Sequence, residues 1–238
     1  IDMVARPVLA GERIISLAVT EPSGGSDVAA VRTRAVRDGD EYVVTGSKLY
    51  ITSGTRADFF TTAVRTGGEG ASGISAFAIM KDTPGLSFGA IERKMGWNAQ
   101  PTRQVIMDNC RVPAAHLVGG VENTGFKFAM SGLDGGRINI GACSLGGAQA
   151  ALDKALAYMR ERKAFGKRLD ECQALQFRLA DMATELEAAR IFLYSAAAAY
   201  DRGDADVTMR CAMAKRVATD VGFEVANQAL QLHGGYGY

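Results

Sequence analysis

Apolar residues recur in two different rhythms along this chain. Up to about residue 120 they come in short runs, at 14–19, 42–45, 59–64, 74–80 and 105–107. Turn-forming clusters divide them: Asp38-Gly39-Asp40, Thr66-Gly67-Gly68, Pro84-Gly85 and Asp108-Asn109. Runs of this length, rich in β-branched residues and bounded by Gly, Pro, Asp and Asn, read as strands. No helical spacing intervenes, so the strands are expected in an antiparallel barrel or sandwich rather than in βαβ units. Residues 1–11 read as the tail of a helix followed by a Gly-Glu turn.

After Gly120 the apolar positions fall three and four apart. Helices are expected over 126–162, 173–202 and 205–232, the second striped by Leu175, Leu179, Met182, Leu186, Ala189 and Leu193. Gly132, Gly135, Gly136, Gly141, Gly146 and Gly147 fall within the first, each costing about 1 kcal/mol against alanine. Close packing of a helix or a ligand against that bare backbone is the expected compensation. The predicted fold class is α+β: a β-barrel or sandwich over 13–120, then an up-down helical bundle over 121–238.

Charge narrows the partners. With 27 basic and 26 acidic residues the net charge is +1, which favours neither nucleic acid nor a membrane surface. The most apolar run, 191–200, is too short to span a bilayer. Cys110, Cys143, Cys172 and Cys211 form no C-x-x-C pair and read as small buried thiols. Two histidines, His116 and His233, argue against a histidine-built metal site. The chain starts at Ile1 and stops at Tyr238 inside a glycine-rich string, which reads as a piece of a longer protein.

Chemistry concentrates in a few strings. Residues 14–19 read as a buried strand that ends at Thr20-Glu21-Pro22-Ser23-Gly24-Gly25-Ser26-Asp27. Pro22 fixes its own φ, the glycines admit backbone shapes that a Cβ forbids, and Thr20, Ser23 and Ser26 offer hydroxyls. Such a turn suits a phosphate or a heterocycle edge, and equally an ordinary loop. Arg162-Lys163-Ala164-Phe165-Gly166 follows a helix end, where a cation either caps the dipole or grips a diphosphate. Asp134 and Arg137 are spaced for a surface ion pair. Gln231-Leu232-His233-Gly234-Gly235 reads as a glycine helix stop.

Taken together, the Thr-Glu-Pro-x-Gly-x-Ser-Asp string, Lys48-Leu49-Tyr50-Ile51-Thr52-Ser53-Gly54 and Arg162 to Gly166 followed by Gln173 resemble the acyl-CoA dehydrogenase family. The resemblance covers essentially the whole chain. It implies FAD as cofactor, with the ring held by Leu17, Val19, Thr20, Ser26, Tyr50, Ile51 and Thr52. Arg162, Phe165 and Gln173 would hold the adenosine diphosphate half, and Gln231, Gly234 and Gly235 the FAD of a neighbouring subunit. Ser26, Asp134 and Arg137 would face the acyl-CoA. Residues 1–12 would be the end of a preceding helical domain. No catalytic base is assigned in this chain: some branched-chain members carry the glutamate where Gly136 stands, and in most it lies beyond the position of Tyr238. Three positions depart from the family pattern: Leu17 for an aromatic, Tyr50 for tryptophan and Ala164 for a hydroxyl residue.

The implied reaction is α,β-dehydrogenation of an acyl-CoA, with electrons passed to an electron-transferring flavoprotein. Trp97-Asn98-Ala99-Gln100-Pro101-Thr102-Arg103, the glycines of 132–147 and the 232–238 string resemble the short branched-chain members, acting on a substrate like isobutyryl-CoA. A homotetramer, built as a dimer of dimers, is implied, in a bacterial cytoplasm or a mitochondrial matrix. Another short- or medium-chain acyl-CoA dehydrogenase stays open, as do a non-catalytic FAD- and acyl-CoA-binding subunit and a flavin oxidase or monooxygenase on the same scaffold.

Overall fold

Strands precede the long helices in the computed structural model, which describes residues 3–238. A short helix α1 (Ala5–Leu9) leads into β1 (Ile15–Ala18), β2 (Arg34–Asp38), β3 (Glu41–Thr52), β4 (Phe59–Arg65), β5 (Ile74–Met80), β6 (Leu86–Phe88) and β7 (Thr102–Pro113). Then come α2 (Gly125–Glu161), a hairpin of β8 (Lys163–Ala164) and β9 (Lys167–Arg168), α3 (Gln173–Arg202) and α4 (Val207–Leu232). The chain divides into two compact units, Ile1–Met130 and Ser131–Tyr238, the boundary falling inside α2.

The α+β class is as expected, with one departure: the sheet is mixed. Its order is β1-β4-β2-β3-β7-β6, with β5 on the other side of β4. β1 runs parallel to the start of β4, and β2 touches the end of β4 in the same sense. The crossover from β1 to β4 contains the β2–β3 hairpin instead of a helix. The absence of helical spacing therefore did not exclude parallel pairing. β2 escaped the apolar rhythm because Arg34-Ala35-Val36-Arg37-Asp38 buries only Ala35.

β1 also corrects the expectation of a strand buried by its large residues. Ser16 and Ala18 face inward, while Ile15 and Leu17 are 41% and 52% exposed. Ser16 Oγ donates to the Thr52 carbonyl at 2.6 Å, tying the inner face of β1 to the end of β3. The main sheet core gathers Tyr42, Val44, Val64, Phe77, Ile79 and Met107.

In the helical unit Met182, Leu186, Ala189 and Leu193 form the buried stripe of α3. Small residues dominate the facing stripe of α4: Cys211, Ala214, Ala218, Gly222, Val225 and Ala229. Close packing of the α2 glycines holds only in part. A Cβ at Gly141 would stand 2.8 Å from Leu193 Cδ1, but Gly132, Gly136, Gly146 and Gly147 face open space. The tightest approach is instead at Gly222, where a Cβ would overlap Ser144. Cys110 and Cys211 are buried as expected, while Cys143 is exposed and Cys172 half-buried. No helix among the described residues is long and apolar enough to cross a membrane.

Candidate functional site

The turn after β1 is a pinned structure. Glu21 and Gly24 exchange both backbone hydrogen bonds at 3.0 Å, and Leu49 N donates to the Thr20 carbonyl at 2.8 Å. Below the turn lies an ion pair that the sequence did not announce. Lys48 Nζ donates to Glu21 Oε1 at 2.8 Å and to the Val19 carbonyl at 3.1 Å. Glu21 also accepts the Arg32 and Thr33 backbone N–H groups at 2.7 and 2.9 Å. Lys48 is 0% exposed and Glu21 5%. Burial pulls the Lys48 ammonium down to about 8, with Glu21 opposing. For Glu21, burial works upward, but the hydrogen bonds from Lys48 and Thr33 outweigh it and hold the carboxyl below its ordinary value.

Gly24 and Gly25 do not use the left-handed freedom anticipated for them, since neither has a positive φ. Gly24 leaves open space over the turn, and a Cβ at Gly25 would press on Thr20 Cγ2 at 3.2 Å. Above that surface Leu17 and Ser26 are exposed, while Val19 and Thr20 are half-buried.

Tyr50 owes its direction to a β-bulge. The β3–β7 register shifts between Lys48 and Ile51, and the extra residue re-aims its neighbours. Lys48 and Ile51 therefore both point inward, Ile51 into a core cluster with Ala18, Phe60 and Val105. Tyr50 and Thr52 both point out. Ile51 has only its backbone to offer a ligand. Tyr50 has φ 57 and is 61% exposed. A bulky residue in the left-handed region is strained by about 1–3 kcal/mol, and such strain gathers at functional sites. Phe165 repeats the pattern: φ 54, 98% exposed, at the tip of the β8–β9 hairpin with Gly166 at φ 78. Two left-handed residues in succession make a type I′ turn, which favours Asn-Gly over Phe-Gly.

In the helical unit Arg162, Gly234 and Gly235 share one cavity of about 300 Å³ with Tyr158, His233 and Tyr236. The Arg162 guanidinium lies 5.9 Å from the Tyr236 ring centroid and makes no ion pair among the described residues. His233 stacks on Tyr158 at 4.6 Å, and its Nδ1 lies 2.8 Å from the Ala229 carbonyl. Gln173 opens α3 and Gln231 stands in the last turn of α4; both are exposed and neither lines the cavity. Asp134, at 8% exposure, divides its carboxylate: Oδ1 accepts from Arg137, and Oδ2 accepts from Thr208 Oγ1 at 2.7 Å. Thr208 was not singled out from the sequence, because nothing in its spacing marks a contact between α2 and α4.

Taken unit by unit, these features fit parts of a flavin dinucleotide in chemical type: in the strand unit an open turn with hydroxyls and an outward aromatic, and in the helical unit a free arginine fork and an exposed phenylalanine.

Residues 16–110 match the acyl-CoA dehydrogenase middle domain, and residues 123–238 match the acyl-CoA dehydrogenase C-terminal domain. The mitochondrial isobutyryl-CoA dehydrogenase of Bos taurus is 49% identical over 232 residues, 98% of this chain and 56% of that protein. That of Dictyostelium discoideum is 50% identical over 228 residues, 95% of this chain and 55% of that protein. The chain thus spans just over half the length of these relatives. Butyryl-CoA dehydrogenase from Megasphaera elsdenii superposes with a TM-score of 0.94 at 40% identity, over 98% of this chain and 61% of its own. A glutaryl-CoA dehydrogenase from Mycobacterium smegmatis, solved in complex with FADH2, superposes with a TM-score of 0.90 at 30% identity, over 99% and 59%.

Proposed function

The chain belongs to the acyl-CoA dehydrogenase family, and from that premise we propose that the whole protein is an FAD-dependent dehydrogenase of a short branched-chain acyl-CoA, close to isobutyryl-CoA. The observation that carries the substrate is the 49–50% identity to two isobutyryl-CoA dehydrogenases across nearly all of this chain. The redox chemistry, uptake of the hydride from the substrate's β-carbon, would be supplied by FAD when bound.

The residues of this chain bind and orient. The Thr20 and Thr52 hydroxyls and the backbone of Val19 and Ile51 hold the ring edge, with Leu17 and Tyr50 as apolar walls. Ser26 stands where cofactor and acyl-CoA meet. The Arg162 fork donates to the diphosphate, with Phe165 and Gln173 at the adenosine. Gln231, Gly234 and Gly235 serve the FAD of a neighbouring subunit in a homotetramer. Arg137 carries the free donors toward the CoA. Asp134, its carboxylate occupied by Arg137 and Thr208, fixes that guanidinium. Gly136 has no side chain and takes no part as a base. The electrons leave to an electron-transferring flavoprotein.

The direct test is anaerobic bleaching of the flavin absorbance in the full-length protein. Isobutyryl-CoA is expected to bleach it faster than butyryl-CoA or isovaleryl-CoA. A bound flavin that none of the three reduces would overturn the dehydrogenase reading.

Phe165 gives a test with two opposed readouts. Phe165→Asn places a residue tolerant of the left-handed region in the turn. It is expected to stabilise the flavin-free protein by about 1 kcal/mol while weakening FAD retention. Urea denaturation reads the first, and flavin lost on gel filtration reads the second. Unchanged retention would leave Phe165 without a role at the cofactor.

A further inference from the structure

We propose that Glu21 and Lys48 are positioning residues for FAD, and that cofactor affinity follows the proton on Lys48. This rests on the reading above, which places FAD at the turn of residues 17–26. It adds a pair of residues that need not touch the cofactor.

The geometry makes Lys48 the fastener of that turn. Its ammonium reaches the last carbonyl before the turn, on Val19, and the carboxylate inside it, on Glu21. The second Glu21 oxygen accepts from Arg32 N, and Oε1 also accepts from Thr33 N. Three stretches of the chain therefore meet at one buried carboxylate–ammonium pair: β3, the entry to the turn at Val19 and Glu21, and the segment entering β2. Thr20, between the two Lys48 contacts, has its carbonyl held by Leu49, the next residue after Lys48. Both walls of the expected ring site thus hang from Lys48, because Tyr50 follows two residues further along the same bulge.

An ammonium donates strongly to a carbonyl and offsets a buried carboxylate; a neutral amine does the first weakly and the second not at all. Loss of the proton therefore frees the Val19 carbonyl and leaves Glu21 without its countercharge. Glu21 is the one charged side chain that bears on Lys48 among the described residues. Burial has already moved the ammonium to about 8, so the change falls in an accessible range. By linkage, FAD that prefers the protonated turn raises the Lys48 pKa when it binds, and its own affinity falls as the pH climbs past the value in the free protein.

The experiment is FAD binding to the flavin-stripped full-length protein, followed by quenching of flavin fluorescence from about pH 6.5 to about pH 9. Wild type is expected to bind about tenfold more weakly at the alkaline end, one decade per unit of pKa difference between the free and bound forms. The double variant Glu21→Leu/Lys48→Met is expected to bind at least tenfold more weakly near neutral pH, with a flat profile. Its urea midpoint, read alongside, separates a misplaced turn from a lost fold. A flat profile in wild type, with FAD still bound, would overturn the positioning role and leave the flavin reading standing. Failure of FAD to bind wild type at any pH would overturn both.

Discussion

Glu21→Leu is expected to remove about 3–5 kcal/mol of folding free energy at neutral pH, the range for breaking one side of a buried ion pair. The variant leaves Lys48, 0% exposed, with a protonated amine whose only remaining named partner is the Val19 carbonyl at 3.1 Å. It also strands the Arg32 and Thr33 N–H groups that the carboxylate had accepted. The deficit should depend on pH in a definite direction. In the fold Lys48 gives up its proton near 8, whereas the unfolded chain holds it to about 10.5. The unfolded state therefore binds more protons between those values, and stability rises with pH across that window. Glu21 acts at the acid end: its contribution is in place above 4.5 and is lost as the pH falls through its lowered value. Without the carboxylate, burial acts on Lys48 unopposed and its proton leaves earlier. The gap between Glu21→Leu and wild type is thus widest on the acid side of neutrality, narrows as the variant's Lys48 loses its proton ahead of wild type, and stays constant once both are neutral, above about pH 9. Adding Lys48→Met should recover the part of the loss that comes from the unpaired ammonium, since an apolar pair of similar volume often replaces a buried ion pair at little cost, but not the part that comes from the Arg32 and Thr33 N–H groups, which stay unpaired. Urea denaturation of the three proteins at neutral and alkaline pH measures all of this. A gap that does not change with pH would mean that Glu21 acts through packing and not through charge.

That pair also marks where the sequence ceased to be readable. The long helices and the apolar strands could be placed because period 3.6 and period 2 are properties of the chain itself. α3 falls on residues 173–202, as its stripe predicts. Leu17, Tyr50 and Phe165 could be picked out because their strings resemble known ones. What those residues face could not. Tyr50 points outward only because the register of β3 against β7 slips by a residue beside it, and register is settled by the partner strand. Lys48 looked like any strand lysine until the fold closed Glu21 over it. β1 was misjudged for a related reason: its apolar residues line the open side, and the core accepts Ser16 and Ala18 because β3 and β4 come close there. Thr208 reaches Asp134 across 74 residues of chain, a contact that no local spacing encodes.

Glycine carries the same lesson in the helical unit, and it can be tested there. Gly222→Val is expected to destabilise the protein by about 3 kcal/mol, at the upper end of the cost of overpacking a well-filled core. Intrinsic helix propensity points the other way, since valine is the better helix former; packing decides the sign. A Cβ at Gly222 would overlap Ser144 Oγ and stand 3.1 Å from the Ser144 carbonyl oxygen. The hydroxyl can rotate or be removed, but the carbonyl belongs to the backbone of α2. Ser144→Ala should therefore recover part of the loss in a Gly222→Ala background and little in a Gly222→Val background, where the extra methyl groups still meet the helix. Gly146 and Gly147 provide the contrast. Both face open space, so alanine at either should raise stability by up to about 1 kcal/mol through propensity alone. Thermal or urea unfolding of the five single variants and the two doubles, with Ser144→Ala as the shared arm of the double-mutant cycles, sorts the glycines into those that admit a neighbouring helix and those that do not. A neutral Gly222→Val would mean that α2 and α4 can part at Ser144 without cost, and that the small-residue stripe of α4 is not what sets their separation.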